Sequence, residues 1–302
     1  MRKGKTAMTK AIGARSTKLA SVLVLAVCAL AMTAAAASAG TVYNNIPSPL
    51  PGSMYTVGAQ EYRINEIGGQ LGLANTERKH PTVEVVMSTK ACQYGRWDLN
   101  SCETPKPTKK FKWPVTLNVY EVGPGNSPGL LIASVTKKIP VPYRPSSSPA
   151  NCTGGEWYDL AEAKCYHAMT FVAAFKLGKI GRIPTHVIIS VVYNSENAGP
   201  QPVGPAQCDA TVTGCPYNFL NVAITEPNEK TLTIGTQPVA PDLYLNTENP
   251  EYFEQYEETG YIQCYKGPEP FTAGPPIGVS GKFSLNNCLA SMQPVLKVTA
   301  SA

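Results

Sequence analysis

KFKWPVTLNVY, residues 110–120, carries the pattern that decides the fold. Phe111, Trp113, Val115, Leu117 and Val119 share one parity, while Lys110, Lys112, Thr116 and Asn118 share the other. Successive side chains of a strand point to opposite faces, so this alternation predicts a strand with one buried side and one turned to solvent. A helix would scatter the same apolar residues around its circumference. The pattern recurs in TFVAAFKLG, where Phe171, Ala173, Phe175 and Leu177 fall on one side. THVIISVVYN is apolar at both parities, as a central strand should be. TVEVVMST, LLIASVTKKI, LNVAIT, KTLTIGT, DLYLNT, YIQCY, KFSL and VLKVTA add further strand-like runs, separated by Gly, Pro, Asn and Ser.

So many short strands without intervening helices predict an all-β chain: an antiparallel two-sheet β-sandwich, jelly-roll-like, with disulfide-stapled loops and at most one or two short helices. The 27 prolines suit that class because proline sits at turns and sheet edges, where its missing N–H breaks no central ladder. NNIPSPLPG, residues 44–52, reads as an extended, polyproline-like segment that lies over the sandwich. The helical candidate is NPEYFEQYEETG, residues 249–260: Asn249 can cap, Pro250 suits the first position, and Gly260 can stop the helix. Its stripe would be Tyr252, Phe253 and Tyr256.

Residues 1–39 read as a secretory signal: six bases by Lys18, an apolar run from Leu19 to Ala31, then Ala37-Ser38-Ala39 as a small-residue cleavage site. Residues 40–302 then form a single β-sandwich domain, since no interior stretch reads as a domain linker. No later run reaches the roughly 20 apolar residues of a spanning helix, so the expected location is secreted, extracellular, with no transmembrane segment. Of the +5 net charge, the six signal bases account for more than all; without them 20 bases face 21 acids. A nearly neutral chain offers no electrostatic case for nucleic acid as partner.

Cys28 lies in the apolar run and reads as one more residue of the signal. The other eight are even in number, as disulfides in an exported chain require: Cys92, Cys102, Cys152, Cys165, Cys208, Cys215, Cys264 and Cys288. Pairing of sequential neighbours is expected, because each pair brackets a turn-rich insertion between strands.

TVYNNIPSPLPG, LNVYEVG, IPVPYRPSSSPANC, VIISVVYNSENAG and FLNVAI together resemble a group of secreted bacterial β-sandwich proteins, which share a VYNNIP.PLPG opening and a PYRPS...C middle. The resemblance implies one extracellular β domain and no particular activity.

Signals of catalysis are weak. His80, His167 and His186 are too scattered for a zinc site. Asp98, Asp159, Asp209 and Asp242 lack the spacing of a calcium loop. Glu84 and Glu121 stand alone on their strands and read as solvent-facing residues, without the paired carboxylates of a glycosidase. No catalytic residue, cofactor or metal ligand is assigned. KPTKKFKWP could bind an anionic polymer, but parity already explains it as a strand with lysines outward. Trp97 in CQYGRWDLNSC and Trp157 in CTGGEWYDLAEAKC sit in loops that disulfides would stiffen, so they and Tyr252, Phe253 and Tyr256 are candidate ligand-binding aromatics. The competing reading folds each ring back onto the sheet beneath it. The sequence points to a noncatalytic extracellular binding or structural protein, with a glycan or cell-surface polymer as the leading partner. A secreted glycoside hydrolase or other hydrolase, and a purely structural or adhesive surface protein, are the alternatives.

Overall fold

A computed structural model describes residues 39–56, 64–74, 78–97, 100–178, 180–193, 219–226, 231–238, 242–247, 255–258, 261–264 and 283–301. Residues 1–38 of the expected signal, the expected Cys208–Cys215 pair, Asp98, Asp209, Tyr252 and Phe253 lie outside the described residues. So do the side chains of Tyr256, Asp242, Cys264 and Cys288.

In chain order the strands are β1 (Gly40–Asn44), β2 (Ile64–Gly72), β3 (Lys79–Thr89), β4 (Lys110–Val122), β5 (Pro128–Pro142), β6 (Trp157–Asp159), β7 (Lys164–Tyr166), β8 (Met169–Lys176), β9 (His186–Tyr193), β10 (Leu220–Val222), β11 (Asp242–Thr247), β12 (Gln255–Glu258), β13 (Tyr261–Cys264), β14 (Ser284–Ala290) and β15 (Leu296–Ser301). Two antiparallel sheets pack together. One has the order β14-β11-β2-β9-β4-β5. In the other, β8 runs along one edge of β3 while β15 and then β10 share its opposite edge, and β1 pairs outside β15.

The expected parity holds in both layers. Val83, Val85 and Met87 of β3, Ala173 and Phe175 of β8, and Leu296 and Val298 of β15 meet Val115, Leu117 and Val119 of β4, Val187, Ile189 and Val191 of β9, and Leu243 and Leu245 of β11 in one apolar core. Phe111 and Trp113 close its end against Phe219, with Trp113 edge-on at 5.0 Å. The lysines of KPTKKFKWP point to solvent, so that stretch is a strand with an exposed charged face. β9 is buried on both faces, with Ile188 and Ser190 closed off beneath the outer surface.

Beyond β1, the proline-rich segment crosses the outside of the second sheet, where Ile46, Leu50 and Met54 pack on Val86, Ala223 and Val295. Cys92–Cys102 and Cys152–Cys165 are the two disulfides among the described residues, both between sequential neighbours as expected.

Three expectations need correction. Gln255–Glu258 is not helical: it pairs antiparallel with β13, Glu258 opposite Tyr261. Tyr256, Tyr261 and Ile262 favour a pleated backbone. KTLTIGT forms no strand, only isolated bridges from Ile234 to Asn44 and from Thr236 to Gly72. The outer face of β4 is also not wholly solvent-facing, since Asn118 is buried in a polar layer over the six-stranded sheet.

Candidate functional site

Of the aromatic residues singled out from sequence, Trp97 and Trp157 are the two whose side chains are described, and they do not form one open face. Trp157 is 6% exposed and its indole N–H donates to the Ala168 carbonyl at 2.9 Å, so its face is unavailable for stacking. Burying a large ring while satisfying its one polar group is the favourable outcome for an indole in a stapled hairpin. Trp97 is half-buried against the core, with the Lys90 ammonium 4.2 Å over its ring and His167 edge-on at 5.7 Å. Glu84 pairs with Lys297 at 3.1 Å on the outside of the second sheet, and Glu121 is exposed at the end of β4. The histidines stay apart: His80 bonds the Gly178 carbonyl, His186 opens β9, and His167 lies 3.7 Å from Glu156. Among the described residues no three His, Cys, Asp or Glu side chains gather as a metal site would require. Nor is any helix there long and apolar enough to cross a membrane.

What the structure assembles instead is a cleft of about 570 Å³ lined by Pro51, Ser53, Met54, Tyr55, Glu162, Lys164, Tyr166 and Glu226. One wall is the end of the proline-rich segment, and the facing wall is the β6–β7 hairpin. The hairpin is fixed from several sides. Cys152–Cys165 staples its base, Trp157 and Tyr166 pack at 5.7 Å, and the Asp159 carboxylate accepts the Ala161 N–H at 2.8 Å to hold the turn. Below it the fully buried Arg144 guanidinium donates to the His167 carbonyl at 2.8 Å, to the Ser147 hydroxyl at 2.9 Å and to the Gly155 carbonyl.

The opposite wall is tied at both ends. Thr170 N–H donates to the Gly52 carbonyl at 3.0 Å and its hydroxyl to that of Pro51. Farther along, Ile224 N–H donates to the Tyr55 carbonyl at 2.9 Å. Glu162 joins the two walls directly: it accepts the Gly52 N–H with one oxygen and the Tyr166 hydroxyl, at 2.7 Å, with the other. Those donors, Gly52 first, hold its carboxyl below the usual carboxylate range. Burial, the hydrogen bond to Glu162 and the charges of Glu162 and Asp159 push the Tyr166 phenol up to about 12, so it remains a donor. Gly52 is required for this closeness, because a Cβ there would stand 2.1 Å from Asp159 Oδ2.

The cleft is therefore a rigid slot with an exposed ring, Tyr55 at 54%, beside two carboxylates and one ammonium. The sequence reading placed the stapled hairpin on the surface but missed Tyr55, Glu162, Lys164, Tyr166 and Glu226 as a set. The available signal was proximity of an exposed Tyr to a chain segment held by prolines. No protein-family model, curated protein or solved structure matches this chain.

Proposed function

We propose that the protein is a secreted, noncatalytic binding protein that takes a glycan or cell-surface polymer in the cleft between the proline-rich segment and the β6–β7 hairpin. One observation carries this reading: an open slot of about 570 Å³ sets the exposed Tyr55 ring beside Glu162, Lys164 and Glu226. A sugar ring presents an apolar C–H face and a rim of hydroxyls, and an aromatic ring flanked by charged hydrogen-bonding groups complements both. Small-ligand sites generally occupy roughly 300 to 1,000 Å³. Walls already fixed by a disulfide and by the Glu162 bonds lose little freedom on binding, which favours affinity. The two disulfides and the signal-like first 39 residues support an oxidising, extracellular location.

Two carboxylates in one cleft also raise hydrolysis. A glycosidase needs one of its pair protonated as an acid. Glu162 is held toward its ionised form by the Gly52 N–H and the Tyr166 hydroxyl and does not suit the acid role.

The test is a glycan array followed by calorimetry on the exported protein, with Tyr55→Ala and Lys164→Ala beside it and released reducing sugar measured in the same incubations. Saturable binding to a glycan class, lost in Tyr55→Ala and without sugar release, is the expected result. Absence of binding to any glycan, or unchanged binding in Tyr55→Ala, would overturn the reading, and turnover would replace it with the hydrolase.

A further inference from the structure

On the outer face of the six-stranded sheet lies a buried polar group that the binding reading does not use. Glu66 of β2 is 7% exposed, Asn118 of β4 8% and Ser190 of β9 0%. Asn118 and Ser190 are directly opposed across the β4–β9 ladder. Both donate to one and the same carboxylate oxygen: Asn118 Nδ2 reaches Glu66 Oε1 at 2.9 Å, and Ser190 Oγ bonds that oxygen too. The Tyr120 hydroxyl donates to it at 2.9 Å, and burial and the Glu66 charge raise that phenol well above its ordinary value. Phe283 covers the group, its ring 5.3 Å from Tyr120 and 5.9 Å from Tyr244.

A hydroxyl nucleophile, a carboxamide electrophile and a base bonded to both are thus held together away from water. Such placement converts a slow bimolecular reaction into an intramolecular one. We propose that Ser190 and Asn118 join in a self-made ester that ties β9 to β4, with Glu66 carrying the proton. Ser190 Oγ attacks Asn118 Cγ as its proton passes to Glu66 Oε1. The Cγ–Nδ2 bond then breaks with its electron pair going to nitrogen, Glu66 returns the proton to Nδ2, and ammonia leaves. Hydroxyl and carboxamide become ester and ammonia, Glu66 is regenerated, and no oxidant or other reactant is needed. Dilution of the ammonia outside the cell drives the step forward, and burial shields the ester from hydrolysis.

Peptide mapping of the full chain collected from culture medium decides the matter. Trypsin cuts after Lys and Arg, here after Lys112, Lys137, Arg182 and Lys230, to give segments 113–137 and 183–230, which contain Asn118 and Ser190. The expected result, after reduction of disulfides, is one species equal to the two segments less one ammonia, separated by hydroxylamine. Recovery of both segments apart, each at its full mass, would overturn the proposal and leave the group a noncovalent polar layer. Glu66→Gln should yield the segments apart; joined segments in that variant would overturn the role of Glu66, while the wild-type map stands on its own should the variant fail to fold.

Discussion

Replacing Arg144 by Met tests whether the hairpin wall of the cleft is held from below. The guanidinium is fully buried and donates from Nη1 to the His167 carbonyl and from Nη2 to the Ser147 hydroxyl and the Gly155 carbonyl. Ser147 and Gly155 stay bonded to each other without it, because the Ser147 hydroxyl also donates to the Gly155 carbonyl. The main uncompensated losses are the His167 carbonyl and the second acceptance at the Ser147–Gly155 pair, with the weaker Nε contact to Cys102 Sγ at 3.1 Å lost as well. Hydrogen bonds from a charged donor contribute about 1.5 to 3 kcal/mol each, so two give about 3 to 6 kcal/mol. Met recovers part of this by removing a buried charge. The net expectation is about 3 kcal/mol, which for a chain of this size lowers Tm by about 6 to 12 °C. Urea and thermal unfolding followed by tryptophan fluorescence, without reductant, reads it. Hydrogen exchange should speed up first in the hairpin, since that is where the bonds end. A loss below about 1 kcal/mol would refute the view that these bonds hold the loop region together.

Gly52→Ala should push the cleft walls apart and destabilise by about 1 to 3 kcal/mol, because its Cβ would meet Asp159 Oδ2 at 2.1 Å; calorimetry and a crystal structure of the variant check both. Removing the Cys152–Cys165 bridge by double substitution with Ser should cost about 3 kcal/mol on the chain-entropy estimate for a loop of this length, and Cys92–Cys102 about the same, read by urea midpoints. Glu162 has a depressed folded-state pKa, so its contribution is present above the unfolded carboxylate pKa and is lost as pH falls through the lower folded value. Tm measured against pH should fall less steeply across that acid window in Glu162→Gln; parallel curves would count against the latch. Glu84→Gln breaks a partly exposed pair with Lys297 and should change stability by no more than about 1 kcal/mol, with glycan binding unaffected.

Much of the fold was legible because burial imposes a period of two. The parity of Phe171, Ala173, Phe175 and Leu177, and the double-sided apolarity of β9, follow from where each strand sits between the layers. Local disulfides were legible for a related reason, since short Cys spacings bracket excursions from a strand. The cleft was not. Its lining comes from the proline-rich segment, from a hairpin more than a hundred residues later, and from Glu226, and no periodicity links these. Trp97 and Trp157 drew attention as stiffened aromatics, but loop stiffness says nothing about which way a ring turns. That is decided by whether the sheet beneath offers apolar area and an acceptor such as the Ala168 carbonyl.

The longest strand that parity missed is β2, and the reason connects it to the polar layer. INEIGGQLG holds three glycines, which argue against a strand on propensity alone. Two of them are dictated by neighbours on opposite faces. A Cβ at Gly69 would lie 2.4 Å from Gln293 Oε1, and one at Gly68 would lie 2.7 Å from the Ile189 carbonyl and from Ser190 Cβ, with Phe283 at 3.1 Å. Gly68 shares its face with Glu66 and Gln70, so the absent side chain lets Ser190 and Phe283 close over the carboxylate. Gly68→Ala should therefore disturb the Glu66 group more than its small size suggests, moving Phe283 off the layer and exposing Glu66 and Ser190 to water. Near-ultraviolet circular dichroism should report the displaced aromatic rings, and an unchanged spectrum with unchanged stability would show that the layer does not depend on the glycine.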